Sequence, residues 1–308
     1  MKVALLVLVL TLGAGGASGQ DDPTFKGAVD LVALNVVAVD KQQQFVSGLS
    51  ADDFAVYEDG VPQEVSFFAS GRLPLDLAIL LDTSSSMVDD LPTAQRAAVG
   101  LASSLGPADR LLVMDISDTA KILAPLSSDR NAARDAILKT SPNGGTALYN
   151  GVYLTLKELV RQRRADADMR RQALVLLSDG NDTKSLVSLD DVMELAKQSG
   201  ISIYAIALGA QGEDERSWGG WHPSAGRPAQ GLKALAHETG ARAFSAKQVE
   251  DLDGLYKTIG RELTNQYALG YISTNQRRDG GYRRVVVRVV DRPGVQLRTR
   301  AGYLAPRP

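Results

Sequence analysis

Residues 79–87 of the chain are ILLDTSSSM, in which an unbroken apolar run passes directly into small polar residues. The run Leu77–Leu81 has no polar position, which predicts a strand that is covered on both faces. Runs of the same kind occur at residues 111–114, 173–177 and 201–208. We therefore expect these four segments to be strands of one buried sheet.

Helical patterns lie between these strands. Residues 94–105 are rich in alanine and leucine, and residues 189–198 end in front of Gly200, a residue type that often terminates helices. A third helix is predicted by apolar residues that share one helical face, namely Leu148, Val152, Leu156 and Leu159. Strands that alternate with such helices predict an α/β fold with a doubly wound, mainly parallel, Rossmann-like sheet.

The two flanks of this region have a different pattern, which is typical of short β-strands and tight turns. The predicted strands of the N-terminal flank are Val32–Val39, Phe54–Tyr57 and Glu64–Phe68. The pair Asp59–Gly60 predicts a hairpin turn. The predicted strands of the C-terminal flank are Tyr267–Ser273, Val285–Val290 and Val295–Tyr303. Neither flank has enough strands to bury a good core of its own.

The flanks also carry opposite charges. Residues 20–70 hold nine acidic residues and two lysines, a net charge of −7, whereas residues 266–308 hold nine arginines and two aspartates, a net charge of +7. We predict that residues 20–72 and 266–308 form the two halves of a small β-sandwich, with the α/β domain of residues 73–265 inserted between them. The alternative is two separate β appendages. We expect the arginines to form a solvated strand face with local salt bridges, not a nucleic-acid-binding patch.

The composition excludes several kinds of chemistry. The 308-residue chain has a net charge of −2, so it shows no overall preference for nucleic acid or anionic membranes. It has no cysteine, which excludes disulfides, thiolate zinc sites and thiol catalysis. Its two histidines, His222 and His237, leave few imidazoles for metal binding or acid–base catalysis.

Residues 1–19 have the layout of a secretory signal peptide. Lys2 is followed by the apolar run Val3–Leu12 and then by the small residues Ala17–Gly19. The alternative is a short membrane anchor, but this run is about half of the roughly 20 residues that span a bilayer. We expect the protein to be secreted, or exported to the periplasm or cell envelope, with no transmembrane segment in the mature chain.

Three segments that follow predicted strands carry candidate metal ligands. The first contains Asp82, Ser84 and Ser86, spaced by two residues at the end of a buried strand. The second, SPNGGTALYNG, presents Thr146 after two glycines, and the third, LVLLSDGND, presents Asp179. In open parallel sheets, ligands bind at the carboxyl ends of the strands. Two carboxylates and three hydroxyls, without nitrogen or sulfur, predict a site for Mg²⁺, or else for Mn²⁺ or Ca²⁺.

Each of these residues also has an ordinary structural interpretation. Ser84 and Ser86 are common turn residues, Thr146 is a common N-cap, and Asp179 can begin an Asp–Gly turn. Their occurrence together, each after a predicted strand, favours the metal site.

At these five positions the sequence resembles the von Willebrand factor type A family. The metal-ion-dependent adhesion site of that family combines an Asp-x-Ser-x-Ser motif with a Thr and an Asp from two further loops. The resemblance covers roughly residues 73–262, and Ser85 stands where many relatives have glycine. It implies that the two serines and Thr146 contact the metal directly, and that the two aspartates act partly through water. An open coordination position would then accept an Asp or Glu carboxylate of a protein partner.

The flanks have a looser likeness. The segments VYEDGVPQEVSFF, YALGYISTN and RAGYLAP are similar to the framing segments of a group of bacterial, notably acidobacterial, proteins related to the same family. This likeness implies no function.

We therefore expect an exported, metal-dependent protein-binding or adhesion module that is not an enzyme. One alternative is a metal-free scaffold protein of the cell envelope. A phosphatase of the haloacid dehalogenase type would need a second aspartate where the chain has Ser84, and the Gly-x-Ser-x-Gly motif of serine hydrolases is absent. Residues 209–231 form a long predicted loop in which Trp218 and Trp221 are either partner contacts or part of a flexible insert, and His222 is expected to be a surface residue.

Overall fold

A computed structural model of the chain describes residues 31–71, 73–165, 170–208, 228–246 and 248–307. The strands in this part are β1 (Leu31–Val39), β2 (Phe54–Glu58), β3 (Val61–Gln63), β4 (Val65–Ala69), β5 (Leu75–Asp82), β6 (Arg110–Ile116), β7 (Ala120–Ser127), β8 (Arg171–Ser178), β9 (Ser202–Leu208), β10 (Ala243–Ala246), β11 (Tyr267–Ile272), β12 (Tyr282–Val289), β13 (Gln296–Arg298) and β14 (Gly302–Leu304). The α-helices are α1 (Leu91–Ser104), α2 (Arg130–Leu138), α3 (Leu148–Ala165), α4 (Leu189–Ser199), α5 (Pro228–Glu238) and α6 (Leu252–Thr264).

A six-stranded sheet in the order β10-β9-β8-β5-β6-β7 forms the centre of the α/β domain. Neighbouring strands are parallel except at the edge, where β7 runs antiparallel to β6. The four apolar runs of the sequence are β5, β6, β8 and β9, so the predicted mainly parallel α/β sheet is confirmed. β7 was not predicted, because it is an edge strand that is largely half-buried or exposed and contains Pro125.

Helices cover both faces of this sheet. On one face Leu77, Ile79 and Leu81 of β5 pack in a core with α1, α2 and α6, and on the other face Ala78 and Leu80 pack with α3, α4 and α5. Side chains of a strand point alternately to the two faces, so the middle of a strand between two helical layers is apolar on both faces. The sequence run that predicted β5 is a direct consequence of this double burial.

The two flanks fold together into two antiparallel sheets, as predicted. The first sheet has the order β13-β1-β11-β4 and the second the order β14-β12-β2-β3. Both sheets therefore contain strands from each flank; Val32 pairs with Tyr271 in the first, and Val56 pairs with Val287 in the second. Apolar side chains from both flanks share one core, which includes Leu34, Val56, Tyr267 and Val285. The prediction of a β-sandwich built from both flanks is confirmed.

The prediction of one continuous strand from Val295 to Tyr303 is wrong. The segment divides into β13, which pairs with β1, and β14, which pairs with β12 in the other sheet. Between them the backbone of Thr299 and Arg300 runs close against Gly240, which follows α5; a Cβ atom on that glycine would lie 2.3 Å from the Arg300 nitrogen. This contact with the α/β domain lies at the crossing between the sheets, and local sequence does not encode it.

The arginines of the C-terminal flank are not all on a solvated face, which corrects a second expectation. The side chain of Arg283 is 4% exposed and pairs with Glu58, itself 2% exposed, at 3.2 Å. The guanidinium of Arg300 lies 5.3 Å from the centre of the Tyr303 ring, and burial lowers the pKa of Arg300 to about 10. Some of the opposite charge of the two flanks therefore meets inside the sandwich.

Several predictions concern residues outside the described ranges. These are the signal peptide of residues 1–19 and the residues Trp218, Trp221 and His222 of the predicted loop. Within the described residues, no helix combines the length and the apolar character needed to cross a bilayer.

Candidate metal centre

The carboxyl ends of β5 and β8 lie side by side in the middle of the central sheet. Three segments meet at this edge: residues 83–90, which follow β5, residues 139–147, which precede α3, and residues 179–188, which follow β8. We call them the first, second and third loops. The predicted ligand Asp82 is the last residue of β5, and the other four lie in the three loops.

A chain of hydrogen bonds joins the first loop to the third. The hydroxyl oxygens of Ser84 and Ser86 are 2.9 Å apart, and the Ser86 hydroxyl donates to Oδ2 of Asp179 at 2.9 Å. Ser84 is buried, whereas Ser86 is exposed and Asp179 is half-buried. Three of the five predicted ligands therefore form an oxygen cluster that is open to solvent on one side.

Asp82 lies beneath this cluster. Its side chain is buried, with Oδ1 accepting from the Ser84 backbone N–H at 3.0 Å and Oδ2 accepting from the Ser178 hydroxyl at 2.5 Å. Burial raises the pKa of Asp82, the hydrogen bonds from Ser178 and Ser84 oppose that rise, and the charge of Asp179 adds to it. The two carboxyl groups are therefore close enough to interact, and a cation nearby would favour the ionised form of Asp82.

Backbone hydrogen bonds tie the second loop to the first. The Asn143 N–H donates to the Thr83 carbonyl at 2.7 Å, and the Ser85 N–H donates to the Gly144 carbonyl at 3.0 Å. The two loops are therefore fixed relative to each other by main-chain atoms, independently of the candidate ligands.

Thr146 is held by the third loop. Its N–H donates to the Thr183 hydroxyl at 3.0 Å, and its carbonyl accepts from the N–H groups of Thr183 and Lys184 at 2.9 and 3.1 Å. Thr146 is 3% exposed, and its hydroxyl makes no hydrogen bond to any residue that the structure describes. The structure therefore brings four predicted ligands into one hydrogen-bonded group and places Thr146 on a neighbouring loop with an unused hydroxyl.

Of the turn and capping roles that the sequence also suggested for these residues, the structure shows some and not others. Ser84 precedes a one-turn 3₁₀ helix, yet its side chain makes no capping hydrogen bond. Asp179 does begin a turn, because its Oδ1 accepts from the Asn181 N–H at 2.9 Å and Gly180 has a φ of 83°. Its second oxygen remains with Ser86, so the turn does not use up the carboxylate.

Sequence reasoning missed Asp182, which caps α3 from the third loop. Its Oδ1 accepts from the N–H groups of Leu148 and Tyr149 at 2.9 and 3.4 Å, and from the Ser185 hydroxyl at 2.6 Å. An N-cap is predicted from the residues immediately before a helix, and for α3 the sequence offered Thr146 in that position. A cap that comes from 34 residues further along the chain leaves no local signal.

Asp115 is a second residue that the sequence did not reveal. It lies near the end of β6, and its Oδ1 accepts from the Thr83 hydroxyl at 2.5 Å. Burial raises the pKa of Asp115, while the Thr83 hydrogen bond and the charge of Lys121 lower it. The hydroxyl of Thr83, which lies between Asp82 and Ser84, therefore ties the first loop to β6.

The donor set suits a hard cation. Within the described ranges, no group of three or more His, Cys, Asp or Glu side chains is placed to hold a metal ion. A cation at this edge must therefore use hydroxyl oxygens together with the two carboxylates of Asp82 and Asp179. All-oxygen ligation of this kind fits Mg²⁺, Mn²⁺ or Ca²⁺ better than thiophilic or imidazole-seeking metals.

Two relatives are similar to this chain in sequence. A UPF0353 protein from Mycolicibacterium paratuberculosis is 26% identical over 208 residues, which are 62% of this chain and 63% of that protein. The chain thus spans less than two thirds of the length of this relative. An uncharacterized protein from Synechocystis sp. is 37% identical over 112 residues, which are 35% of this chain and 26% of that protein.

Solved structures share the fold at low sequence identity. A von Willebrand factor type A protein from Catenulispora acidiphila has a TM-score of 0.50 and 14% identity, and the match covers 82% of this chain and 74% of that one. Proximal thread matrix protein 1 from the mussel byssus has a TM-score of 0.50 and 16% identity, covering 67% and 51% of the two chains.

The sequence profile of the von Willebrand factor type A domain matches residues 76–258, which is more than half of the chain and runs from β5 into α6. The mixed six-stranded sheet and the helices on both of its faces agree with that match. The chain belongs to the von Willebrand factor type A domain family.

Proposed function

We propose that the protein is an exported, non-enzymatic binding module that holds one divalent cation between its three loops. The cation, Mg²⁺ in the first instance, binds an Asp or Glu carboxylate of a protein partner. The observation that carries this proposal is the oxygen cluster of Ser84, Ser86 and Asp179 above the buried carboxylate of Asp82.

The charge of the centre supports a carboxylate as the partner group. Asp82 and Asp179 together balance the charge of one divalent cation, so an incoming carboxylate meets a site of no net negative charge. Hydroxyl ligands are neutral and leave the cation strongly attractive to an anion. Ser86 is exposed, so a partner can approach from its side of the cluster.

The loops lack the groups that an acid–base mechanism requires. None of residues 83–90, 139–147 and 179–188 is a histidine or a cysteine. The buried carboxyl of Asp82 is engaged on both oxygens, by Ser84 and by Ser178. The loops therefore lack histidine, the residue that most often acts as a general base, and this supports binding without turnover.

The predicted signal peptide of residues 1–19 supports export, to the cell envelope or beyond it. Metal-dependent binding of a partner outside the cytoplasm is also consistent with weak cation affinity. Extracellular oxygen sites have dissociation constants of roughly 10⁻⁴–10⁻³ M.

A second function, a metal-free scaffold, is favoured by one observation. The cluster is already closed by its own hydrogen bonds, since Ser84 meets Ser86 and Ser86 meets Asp179 at ordinary distances. A loop edge of this kind is stable without a cation and can serve as a purely structural junction.

Isothermal titration of the protein with MgCl₂, MnCl₂ and CaCl₂ separates the two functions. We expect one saturable site in the wild type and at least about a tenfold loss of affinity in Ser86→Ala, because one direct ligand and the contact to Asp179 disappear. At tenfold excess over Kd, binding should stabilise the fold by about 1.4 kcal/mol. Ser103→Ala, an exposed serine of α1 whose hydroxyl bonds only its own helix, is the matched control.

The same variants test the partner. Proteins captured from the native cell envelope should be released by a chelator and bound again after Mg²⁺ is restored, with Ser103→Ala like the wild type and Ser86→Ala deficient. Capture that is identical in both variants, with and without chelator, would favour the scaffold. Unchanged cation affinity in Ser86→Ala would place the metal elsewhere.

A further inference from the structure

The two most exposed large apolar side chains in the described part of the chain both lie on loops of the candidate metal centre. Leu186 of the third loop is 96% exposed, and Val88 of the first loop is 56% exposed. Neither side chain belongs to one of the three hydrophobic cores of the described residues. A single exposed leucine is ordinary, but apolar side chains that are exposed around one site mark an interaction surface.

The backbone of Leu186 is held in place although its side chain is exposed. Asn150 lies in the first turn of α3, and its Oδ1 accepts from the N–H groups of Leu186 and Val187 at 3.0 and 3.1 Å. The N–H of Asn150 in turn donates to the Ser185 hydroxyl at 3.0 Å. Leu186 is therefore fixed beside the helix that begins directly after the second loop.

Val88 is held in a similar way. It follows a 3₁₀ turn, Ser85–Met87, and comes two residues after the candidate ligand Ser86. The Met87 side chain is buried in the core that contains α1, and the Met87 N–H donates to the Ser84 carbonyl at 2.9 Å. The exposed side chain of Val88 thus follows directly after a residue that anchors the first loop.

The oxygen cluster joins the two loops that carry these apolar side chains, because Ser86 of the first loop donates to Asp179 of the third. A partner carboxylate that reaches a cation at this cluster brings the neighbouring residues of the partner over both loops. Apolar side chains on a backbone that is already fixed lose little conformational freedom on binding, so they suit a contact of this kind.

We propose that the partner presents its metal-binding Asp or Glu within an apolar segment, whose side chains pack on Leu186 and Val88. This inference rests on the proposed metal function and narrows the class of partner, because it excludes a carboxylate in a purely polar sequence. Burial of the apolar side chains supplies affinity that a weak cation site lacks, and the carboxylate supplies the dependence on metal.

Pentapeptides with a central Asp or Glu test the proposal. The two neighbours of the acid are Leu, Val, Phe, Ser or Lys, and peptides with a central Asn are the controls that lack a carboxylate. Binding is measured by the fluorescence anisotropy of labelled peptides in excess Mn²⁺ and again in EDTA. We expect EDTA-sensitive binding that is about tenfold tighter, or about 1.4 kcal/mol, with apolar neighbours than with Ser.

Leu186→Ala and Val88→Ala should each reduce this preference, and the double variant should lose most of it. Calorimetry should show that all three bind Mn²⁺ like the wild type, because neither side chain offers an oxygen ligand. Leu154→Ala, which replaces an exposed leucine of α3, is the matched control and should keep the full preference.

EDTA-sensitive binding without a preference for apolar neighbours, or an undiminished preference in the double variant, would overturn the inference and leave the proposed function standing. If no peptide with a central Asp or Glu binds in an EDTA-sensitive manner, the proposed function fails and the inference fails with it.

The other occupant of this surface would be the chain's own residues 209–227, which follow β9 and contain both tryptophans of the protein. Tryptophan emission of the peptide-free protein distinguishes the two. The same emission in the wild type and in the double variant would support a surface that is open to a partner, whereas a shifted emission in the double variant would overturn the proposal.

Discussion

Single side chains of the third loop determine how the candidate metal centre is assembled. Asp182 binds the first N–H groups of α3, and Thr183 accepts from the N–H of Thr146. Neither side chain is a predicted ligand, yet both fix the second loop, on which Thr146 lies. The position of the ligands thus depends on residues whose hydrogen bonds run to backbone atoms of a neighbouring loop.

Asp182→Ala should lower the free energy of unfolding by about 0.5–2 kcal/mol, the usual effect of removing a helix cap. The variant loses the acceptor for Leu148 and Tyr149 and a negative charge at the amino end of α3. Urea denaturation monitored by circular dichroism measures the change. Asp182→Asn keeps one acceptor oxygen and should recover most of the loss.

Asp135→Ala serves as the control for this prediction. Asp135 is exposed within α2, and alanine has a higher helix propensity, so its variant should be neutral or slightly stabilised. If Asp182→Ala and Asp135→Ala unfold at the same urea concentration, Asp182 does not cap α3 in solution.

At the level of secondary-structure elements, the end of α5 controls how the C-terminal flank crosses the α/β domain. Gly240 follows α5 with a φ of 73°, a conformation that favours glycine. The flank backbone at Thr299 and Arg300 passes directly over it, at the point where the chain leaves β13 for β14. The end of α5 and the segment between β13 and β14 therefore lie so close together that residue 240 has no room for a side chain.

Gly240→Ala should destabilise the protein by about 1–3 kcal/mol from backbone strain alone. The clash between the new methyl group and the main-chain atoms of Thr299 and Arg300 should increase this loss. Tm by calorimetry measures this loss. Gly254→Ala is the matched control: this glycine lies in α6, has open space around it, and should gain about 0.5–1 kcal/mol from the substitution. Equal Tm values for the two variants would contradict the close approach at Gly240.

At the scale of the whole molecule, a buried polar group connects the two ends of the chain. Glu58 of the N-terminal flank accepts from the hydroxyls of Tyr271 and Tyr303, each at 2.8 Å, and from Ser273 at 2.6 Å. It also pairs with Arg283 at 3.2 Å. Burial alone would raise the pKa of Glu58, but the hydrogen bonds and the ion pair outweigh it and lower the pKa below the ordinary 4.5.

This lowered pKa predicts a defined pH dependence. Ionised Glu58 stabilises the fold above pH 4.5, and this contribution is lost as the pH falls through the folded-state pKa, because the unfolded state then binds the proton first. Glu58→Gln should therefore have a lower Tm than the wild type at pH 7, and the difference should shrink as the pH falls below 4.5. Thermal melts from neutral to acidic pH measure it.

Glu64→Gln, an exposed glutamate of the same flank, is the control and should stay close to the wild type throughout. A difference between Glu58→Gln and the wild type that stays constant down to acidic pH would show that Glu58 is not the ionised centre of the sandwich.

Local sequence patterns were sufficient to predict the strands that are buried on both faces and the candidate ligands that follow them. β5 and β8 could be predicted because the middle of a strand between two helical layers is apolar on both faces, which leaves an unbroken apolar run in the sequence. Asp82, Ser84, Ser86 and Asp179 were visible because they lie within a few residues of those strand ends. For the same reason the α/β fold could be predicted with its sheet mainly parallel.

Features that depend on residues distant in the chain could be found only in the folded structure. The cap of α3 comes from Asp182, 34 residues after the first N–H it binds, and the Glu58–Arg283 pair joins residues 225 positions apart. β7 and the division of Val295–Tyr303 into two strands depend on which sheet edge or helix end each segment meets. The segments that make such contacts have no distinctive local sequence pattern. The contacts contribute stabilising free energy only after folding has brought the two segments together.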